Sequence, residues 1–260
     1  MNTIGFLGTG EITRALVLGL KSSALRDLAI LLSPRSEAVS ATLAGAHDGV
    51  TVAPDNQAVI DGADVIVLAV RPQVAGQVLA PLTFPPGTPV ISLIAATPAK
   101  LIADWTGVDP AMICRAIPLP SAATRRCATP VFPPLPDAMR IFDALGTALA
   151  VDDADTFDTY AAASALMASY FAFVESAADW ATASGLPPAD AHTYIRTLIA
   201  NLGDTMRDSA EDLATLREAH QTPGGLNEHA ALEFARAGGP QALGTALDAA
   251  LARVTGHAGF

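Results

Sequence analysis

The residues with the clearest chemical purpose stand at the start of the chain, where Ile4-Gly5-Phe6-Leu7 runs into Gly8-Thr9-Gly10 and on into Glu11-Ile12-Thr13-Arg14. The order reads as strand, tight turn and helix. Gly8 permits the turn, Gly10 lets a pyrophosphate approach the backbone, and a helix starting near Glu11 and Ile12 offers N–H groups and a favourable dipole to anionic oxygens. A lone Gly-x-Gly also fits a plain turn between a buried strand and a helix, and the third fingerprint position holds Thr13 rather than Gly or Ala. The strand–turn–helix context favours a dinucleotide. After the next apolar run, residues 28–32, no acid is present to accept from adenosine ribose hydroxyls; Ser33, Arg35 and Ser36 supply hydroxyls and a guanidinium instead. That chemistry suits a 2′-phosphate, hence NADP, with NADPH preferred over NADH. The plainer alternative is a polar turn with Ser36 capping the next helix.

Other reactive side chains form no comparable constellation. His220 and His229 flank Thr222-Pro223-Gly224-Gly225 and could act as acids at neutral pH, although histidines so placed more often cap helices or face solvent. His47, His192 and His257 fall in a loop, a helix and the tail, and no spacing of His, Cys or acids calls for a metal. Glu175 and Asp179 lie one helical turn apart, the pattern of a solvated or interface face.

The elements that would position these residues alternate strand and helix through the first half. Apolar runs predict strands at 3–7, 28–32, 50–52, 64–70, 89–93, 112–117, 128–132 and 148–151, with a helix over 137–145. Arg71-Pro72-Gln73 ends the fourth strand and opens a helix, presenting Ala69, Val70 and Arg71 at the sheet's carboxyl edge. From Asp152 the texture becomes alanine-rich helix. Phe157, Tyr160, Ser164, Met167, Phe171, Val174, Ala178 and Ala181 recur on one face over about 30 residues, a helix of ~45 Å. Gly185-Leu186-Pro187-Pro188 breaks it; further helices are expected over 190–200, over 201–220 and from the paired glycines to Arg236. The expected domains are residues 1–151 and 152–260.

Composition limits the function classes. The chain has 260 residues, 51% of them hydrophobic, and a formal charge of −11 from 15 basic and 26 acidic side chains, which argues against nucleic-acid and anionic-membrane partners. The most apolar run, residues 65–70, is strand-sized, so no transmembrane segment is expected. A core strand beginning at Thr3 argues against a signal peptide, and Cys114 and Cys127, in separate strand-like segments, read as buried thiols of a reducing compartment. A cytoplasmic protein is expected.

The fingerprint, Ser33-Pro34-Arg35, Asp55-Asn56, Ala69-Val70-Arg71-Pro72-Gln73, Ser92 with Ala95, Arg115-Ala116-Ile117-Pro118 and Thr222-Pro223-Gly224-Gly225 occur in the order and spacing of pyrroline-5-carboxylate reductases, and the chain resembles that family over nearly its whole length. The resemblance implies an α/β fold: a Rossmann-type, doubly wound, mostly parallel sheet followed by an all-α dimerisation domain. It implies an intertwined homodimer, possessed of no dedicated catalytic base, that reduces a cyclic imine with NADPH. The cofactor positions it implies are Gly8, Gly10, Ser33, Arg35, Asn56, Ala69, Arg71 and Pro72, with Glu11, Ile12, Val70 and Ala95 beside them. It places the substrate carboxylate at Gly224 and Gly225 and makes Thr222 and Asn227 the hydroxyl and amide to test for the nitrogen and its proton. Helix capping is the plainer reading of both.

Departures from the family pattern collect at the substrate end. Ile117-Pro118-Leu119-Pro120-Ser121 carries Leu119 where relatives have a polar amide; Met167 lies in a segment matching their Gly-Ser-Gly-Pro-Ala-Tyr; Leu226-Asn227-Glu228 replaces a Thr-rich run. A pocket with Leu119, Met167 and Leu226 would be more apolar than one built for a small charged ring, which leaves room for an imine other than pyrroline-5-carboxylate. Two alternatives remain open. A 3-hydroxyacid dehydrogenase-like enzyme would want a lysine relay, whereas the only lysines, Lys21 and Lys100, lie in the first half. A non-catalytic NADPH sensor would bind without turnover.

Overall fold

The structure, a computed structural model, describes residues 1–256, so His257 lies outside the described residues. It divides into two compact units, Met1–Ala161 and the chain from Ala162 onward.

The first unit is built on an eight-stranded sheet. Its strands are β1 (Thr3–Leu7), β2 (Ala29–Leu32), β3 (Val50–Val52), β4 (Val65–Leu68), β5 (Val90–Ser92), β6 (Ile113–Ala116), β7 (Cys127–Phe132) and β8 (Gly146–Ala150). They lie in the order β3-β2-β1-β4-β5-β6-β7-β8, parallel throughout except for the β6–β7 pair. Helices α1 (Glu11–Lys21), α2 (Glu37–Ala46), α3 (Asn56–Asp61), α4 (Pro72–Leu79) and α5 (Ala99–Thr106) make the crossovers, and α6 (Pro136–Ala144) joins β7 to β8. Both sheet faces are covered, which is why the strands are continuous apolar runs. Ile4, Phe6, Val65 and Val67 pack on one face with Leu16, Leu20 and Phe142. Leu7, Ile66 and Leu68 pack on the other with Val59, Leu79 and Ile102. β2, β4, β5 and β6 are one to three residues shorter than the apolar runs suggest, Ala69 and Val70 having left the sheet, whereas β7 and β8 begin one and two residues earlier than expected.

Helix α7 (Ala154–Ala163) starts in this unit and is tied to the sheet by one ion pair. Arg115 Nη1 on β6 donates to Asp158 Oδ1 at 3.2 Å, with the side chains only 12% and 18% exposed. The guanidinium lies 4.4 Å from the centroid of Phe157 and 5.5 Å from that of Phe132. The compact units part at Ala161/Ala162, so the start of α7 and this anchor belong to the first.

The second unit continues with α8 (Leu166–Ala183), α9 (Pro188–Asp208), α10 (Leu213–Ala219), α11 (Leu226–Arg236) and α12 (Gly239–Val254). Two expectations are corrected. The long first helix is interrupted at Ser164 and Ala165, where Ala165 N donates three residues back to Ala162 O at 3.0 Å. Conversely no break occurs at 200/201: the Ala-Asn pair carries no breaker, α9 runs on to Asp208, and α10 begins where Asp212 accepts from Thr215 N at 2.8 Å. Gly185, at φ +106°, ends α8 as the glycine–proline signal indicates.

Apolar burial differs sharply between the units. Among the described residues from Ala162 onward, the only buried side chains are Ala162, Ala178, Ala181 and Ala191, whereas Phe171, Trp180 and Leu213 are 68%, 71% and 69% exposed. By length and composition alone the span Ala154–Ala183 is apolar enough to cross a membrane, an 18-residue window of it having mean hydropathy 1.3 with 11% of that window buried.

Asp158→Ala would leave the Arg115 guanidinium enclosed without its counter-ion, and we expect a loss of about 2–4 kcal/mol of stability. A lowered urea midpoint would be the readout; an unchanged one would show that the ring contacts alone hold the helix.

Candidate functional site

The sheet order reverses beside β1: β2 lies on one side and β4 on the other, so their carboxyl ends open a crevice. Gly8 sits at its base with φ +101°, and a Cβ there would come within 2.5 Å of the Ala69 carbonyl oxygen. The two strands stay joined at that level by Ala69 N donating to Leu7 O at 2.8 Å. Gly10 is the opposite case. Nothing lies within 4 Å of where its Cβ would be, and it begins α1 with no side-chain cap, so the helix start at Glu11 and Ile12 is left to an outside anion.

Thr13, the apparent flaw in the fingerprint, is fully buried and donates through Oγ1 to Gly8 O at 2.7 Å, closing the turn from within. Ser33 has a different part from the one the sequence indicates. It is 1% exposed; its Oγ accepts from Gly8 N at 2.9 Å, and Thr9 Oγ1 donates to its carbonyl at 3.0 Å. Its hydroxyl therefore holds the glycine loop rather than facing a ribose phosphate. Arg35 and Ser36 are exposed, and Ser36, at φ +69°, makes no side-chain cap to α2, so the capping alternative is not realised.

The remaining cofactor candidates line the same carboxyl edge. Half-buried Asn56 opens α3, capped by Asp55 Oδ1 accepting from Ala58 N at 2.8 Å. Ala69 and Val70 are half-buried, Arg71 is exposed, and Pro72 is the first residue of α4. Exposed Ala95 follows β5, its carbonyl accepting from Thr97 Oγ1 at 3.0 Å. Leu119, expected at the substrate, is partly buried against the sheet's core, and its N–H points to Cys127 Sγ at 3.2 Å. The Cys114 thiol is pushed up to about 12 by burial, which makes it inert.

In the helical unit the paired-glycine turn leads into α11. Gly224 has φ +72°, and Gly225 N donates to Thr222 O at 2.7 Å. Asn227 Nδ2 donates to His220 O at 2.9 Å, so the amide is engaged with its own turn. Gly224 N donates to Glu228 Oε2 at 2.6 Å; Glu228 is the third residue of α11, a position from which a glutamate can reach back over the helix start. Leu226 is 87% exposed, and Asn227 borders an apolar groove of about 680 Å³ formed with Phe173, Leu198, Leu202 and Met206. Met167 on α8 is 49% exposed. Among the described residues no cluster of His, Cys and acids could hold a metal.

Ser33→Ala would strand the Gly8 N–H and remove the partner of Thr9; we expect about 1–3 kcal/mol of destabilisation, measured by thermal denaturation. Ser33→Thr, which keeps the oxygen, should recover part of it.

Two family models match the chain. Residues 154–256 match pyrroline-5-carboxylate reductase dimerisation, and residues 3–96 match NADP oxidoreductase coenzyme F420-dependent. A pyrroline-5-carboxylate reductase of Pseudomonas aeruginosa is 26% identical over 261 residues, covering 96% of this chain and 94% of its own. One of Synechocystis is 30% identical over 185 residues, 68% of each chain. The solved structure of a pyrroline-5-carboxylate reductase from Coxiella burnetii, 25% identical, superposes with a TM-score of 0.82 over 100% of this chain and 99% of that one. With a fingerprint crevice in one half and a paired-glycine turn in the other, the chain belongs to the pyrroline-5-carboxylate reductase family.

Proposed function

We propose that this protein is an NADPH-dependent reductase of a cyclic imine. NADPH supplies, when bound, a hydride to the imine carbon; the C=N electron pair moves to nitrogen, which takes a proton, giving the saturated amine and NADP⁺. The observation that carries the reading is the crevice between β1 and β4, with its uncapped α1 and open Gly10, in a chain of this family. Gly8, Gly10, Glu11 and Ile12 take the pyrophosphate; Arg35 takes the 2′-phosphate; Asn56, Ala69, Val70, Arg71, Pro72 and Ala95 line the rest. An iminium is already electrophilic, so the protein's part is to orient it, and Thr222 and Asn227 are the groups to test around its nitrogen.

The helical half acts as a homodimer. Its family model is a dimerisation domain, and a second copy is what its exposed aromatic and leucine side chains call for. The same pairing accounts for the apolar run 154–183 without a bilayer. Two free, buried thiols, Cys114 and Cys127, support the cytoplasm as its compartment. The lysine relay of a 3-hydroxyacid dehydrogenase-like enzyme finds no support: Lys21 Nζ donates to Arg26 O and Leu28 O at 2.9 and 2.8 Å, and Lys100 pairs with Asp104 at 3.1 Å.

NADPH consumption, followed by absorbance with pyrroline-5-carboxylate, pyrroline-2-carboxylate and uncharged cyclic imines, tests the reading. Multiple turnovers on one of them are expected; binding of NADPH without turnover on any would make the protein a sensor. Arg35→Ala should cut the preference for NADPH over NADH by roughly tenfold or more. Light scattering should return twice the 26.6 kDa of one chain.

A further inference from the structure

One stretch of the sheet unit has few backbone donors and is nevertheless fixed. Beyond β6 the chain runs Ile117-Pro118-Leu119-Pro120 into a 3-10 helix, Pro120–Thr124. Ile117 N donates to Pro130 O at 3.2 Å; after it, two prolines leave the Leu119 N–H as the lone amide donor of residues 118–120. That N–H donates to Cys127 Sγ at 3.2 Å. The thiol, 2% exposed on β7, takes a second donor at 3.2 Å, Oγ1 of fully buried Thr129, and its own S–H points to Ala128 O at 3.8 Å. Farther along, Ala122 O lies so close to α1 that any side chain at Gly19 would collide with it. The segment is therefore pinned between β7 and the helix whose start is open to a pyrophosphate.

We propose that Cys127 is a positioning residue for the reduction: through the Leu119 N–H its thiol holds residues 117–119 as the surface on which the nicotinamide and the imine meet. This rests on the imine-reductase reading above. With the adenosine end at Arg35, after β2, and the pyrophosphate at the start of α1, the other half of the dinucleotide runs over the carboxyl ends of β4, β5 and β6. The end of β6 is three strand spacings from β1, roughly 14 Å, which a nicotinamide riboside with a ring stacked on it can span. Residues 117–119 continue from that end. Hydride transfer needs donor and acceptor carbons at near-attack distance, so a surface that drifts slows the step while the pyrophosphate stays bound.

The test measures the single-turnover rate of NADPH oxidation with the best imine of the panel above, and NADPH affinity by fluorescence titration. It uses the full-length wild type, Cys127→Ala, Cys127→Ser and Thr129→Val. Cys127→Ala removes the acceptor, a serine hydroxyl restores one, and Thr129→Val disturbs the same thiol but leaves it to Leu119. We expect Cys127→Ala to lower the rate about tenfold or more, with the NADPH dissociation constant within about twofold of the wild type. Cys127→Ser should recover most of that loss, and Thr129→Val should stay within about threefold of the wild-type rate. An unchanged rate in Cys127→Ala, a loss that lies wholly in NADPH affinity, no recovery in Cys127→Ser, or an equal loss in Thr129→Val overturns the proposal. Should Cys127→Ala fail to fold, Cys127→Val, which fills the space without an acceptor, takes its place. If the wild type reduces none of the imines, the reductase reading fails, and calorimetric binding of proline and pyrrolidine to the NADP⁺ complex decides on Cys127 separately. Binding weakened about tenfold in Cys127→Ala upholds the positioning, and binding equal in both forms, or absent from both, overturns it.

Discussion

The carbonyl of Ala69 occupies the space that any side chain at residue 8 would need. Because β1 and β4 are parallel neighbours whose chains then leave in different directions, their backbones can close up at the carboxyl edge only if one of them lacks a Cβ. Gly8 meets that demand, and the rest of the edge follows from it. The loop is held from three sides, by Thr13 on its carbonyl, Ser33 on its amide and the Ala69 backbone just beyond β4 against its α-carbon. A loop so fixed keeps the start of α1 aimed outward at no conformational cost when an anion arrives.

The sheet half of the molecule was largely legible in the sequence. Its strands are buried on both faces and therefore appear as short unbroken apolar runs ended by Gly, Pro or Ser, a signal that needs no knowledge of partners. What the residue types did not reveal was direction. Ser33 and Arg35 both looked able to meet a phosphate, yet two positions along a turn separate a hydroxyl that faces inward to Gly8 from a guanidinium in solvent. Leu119 likewise turned toward the core once β6 and the following segment were placed.

The helical half was less legible for a physical reason. A helix boundary is read from the contrast between apolar and polar faces and from breaker residues, and at two places in this half the sequence carries no Gly or Pro to mark an end or a continuation. So the interruption at Ser164 and Ala165 and the continuity of α9 past Ala200 could not be separated from ordinary helix. The action of Glu228 is local and depends only on its place three residues into α11.

The scarcity of buried side chains in the helical half also bears on how the protein comes to exist. A unit in which four alanines are the buried side chains among the described residues lacks the apolar burial that offsets the conformational entropy of ordering its helices. Its native shape is then a property of two chains at a given concentration rather than of one. The sheet unit, complete in itself, can form while a chain is still alone, whereas the carboxyl-terminal half must wait for an encounter, its aromatic side chains open to whatever meets them first.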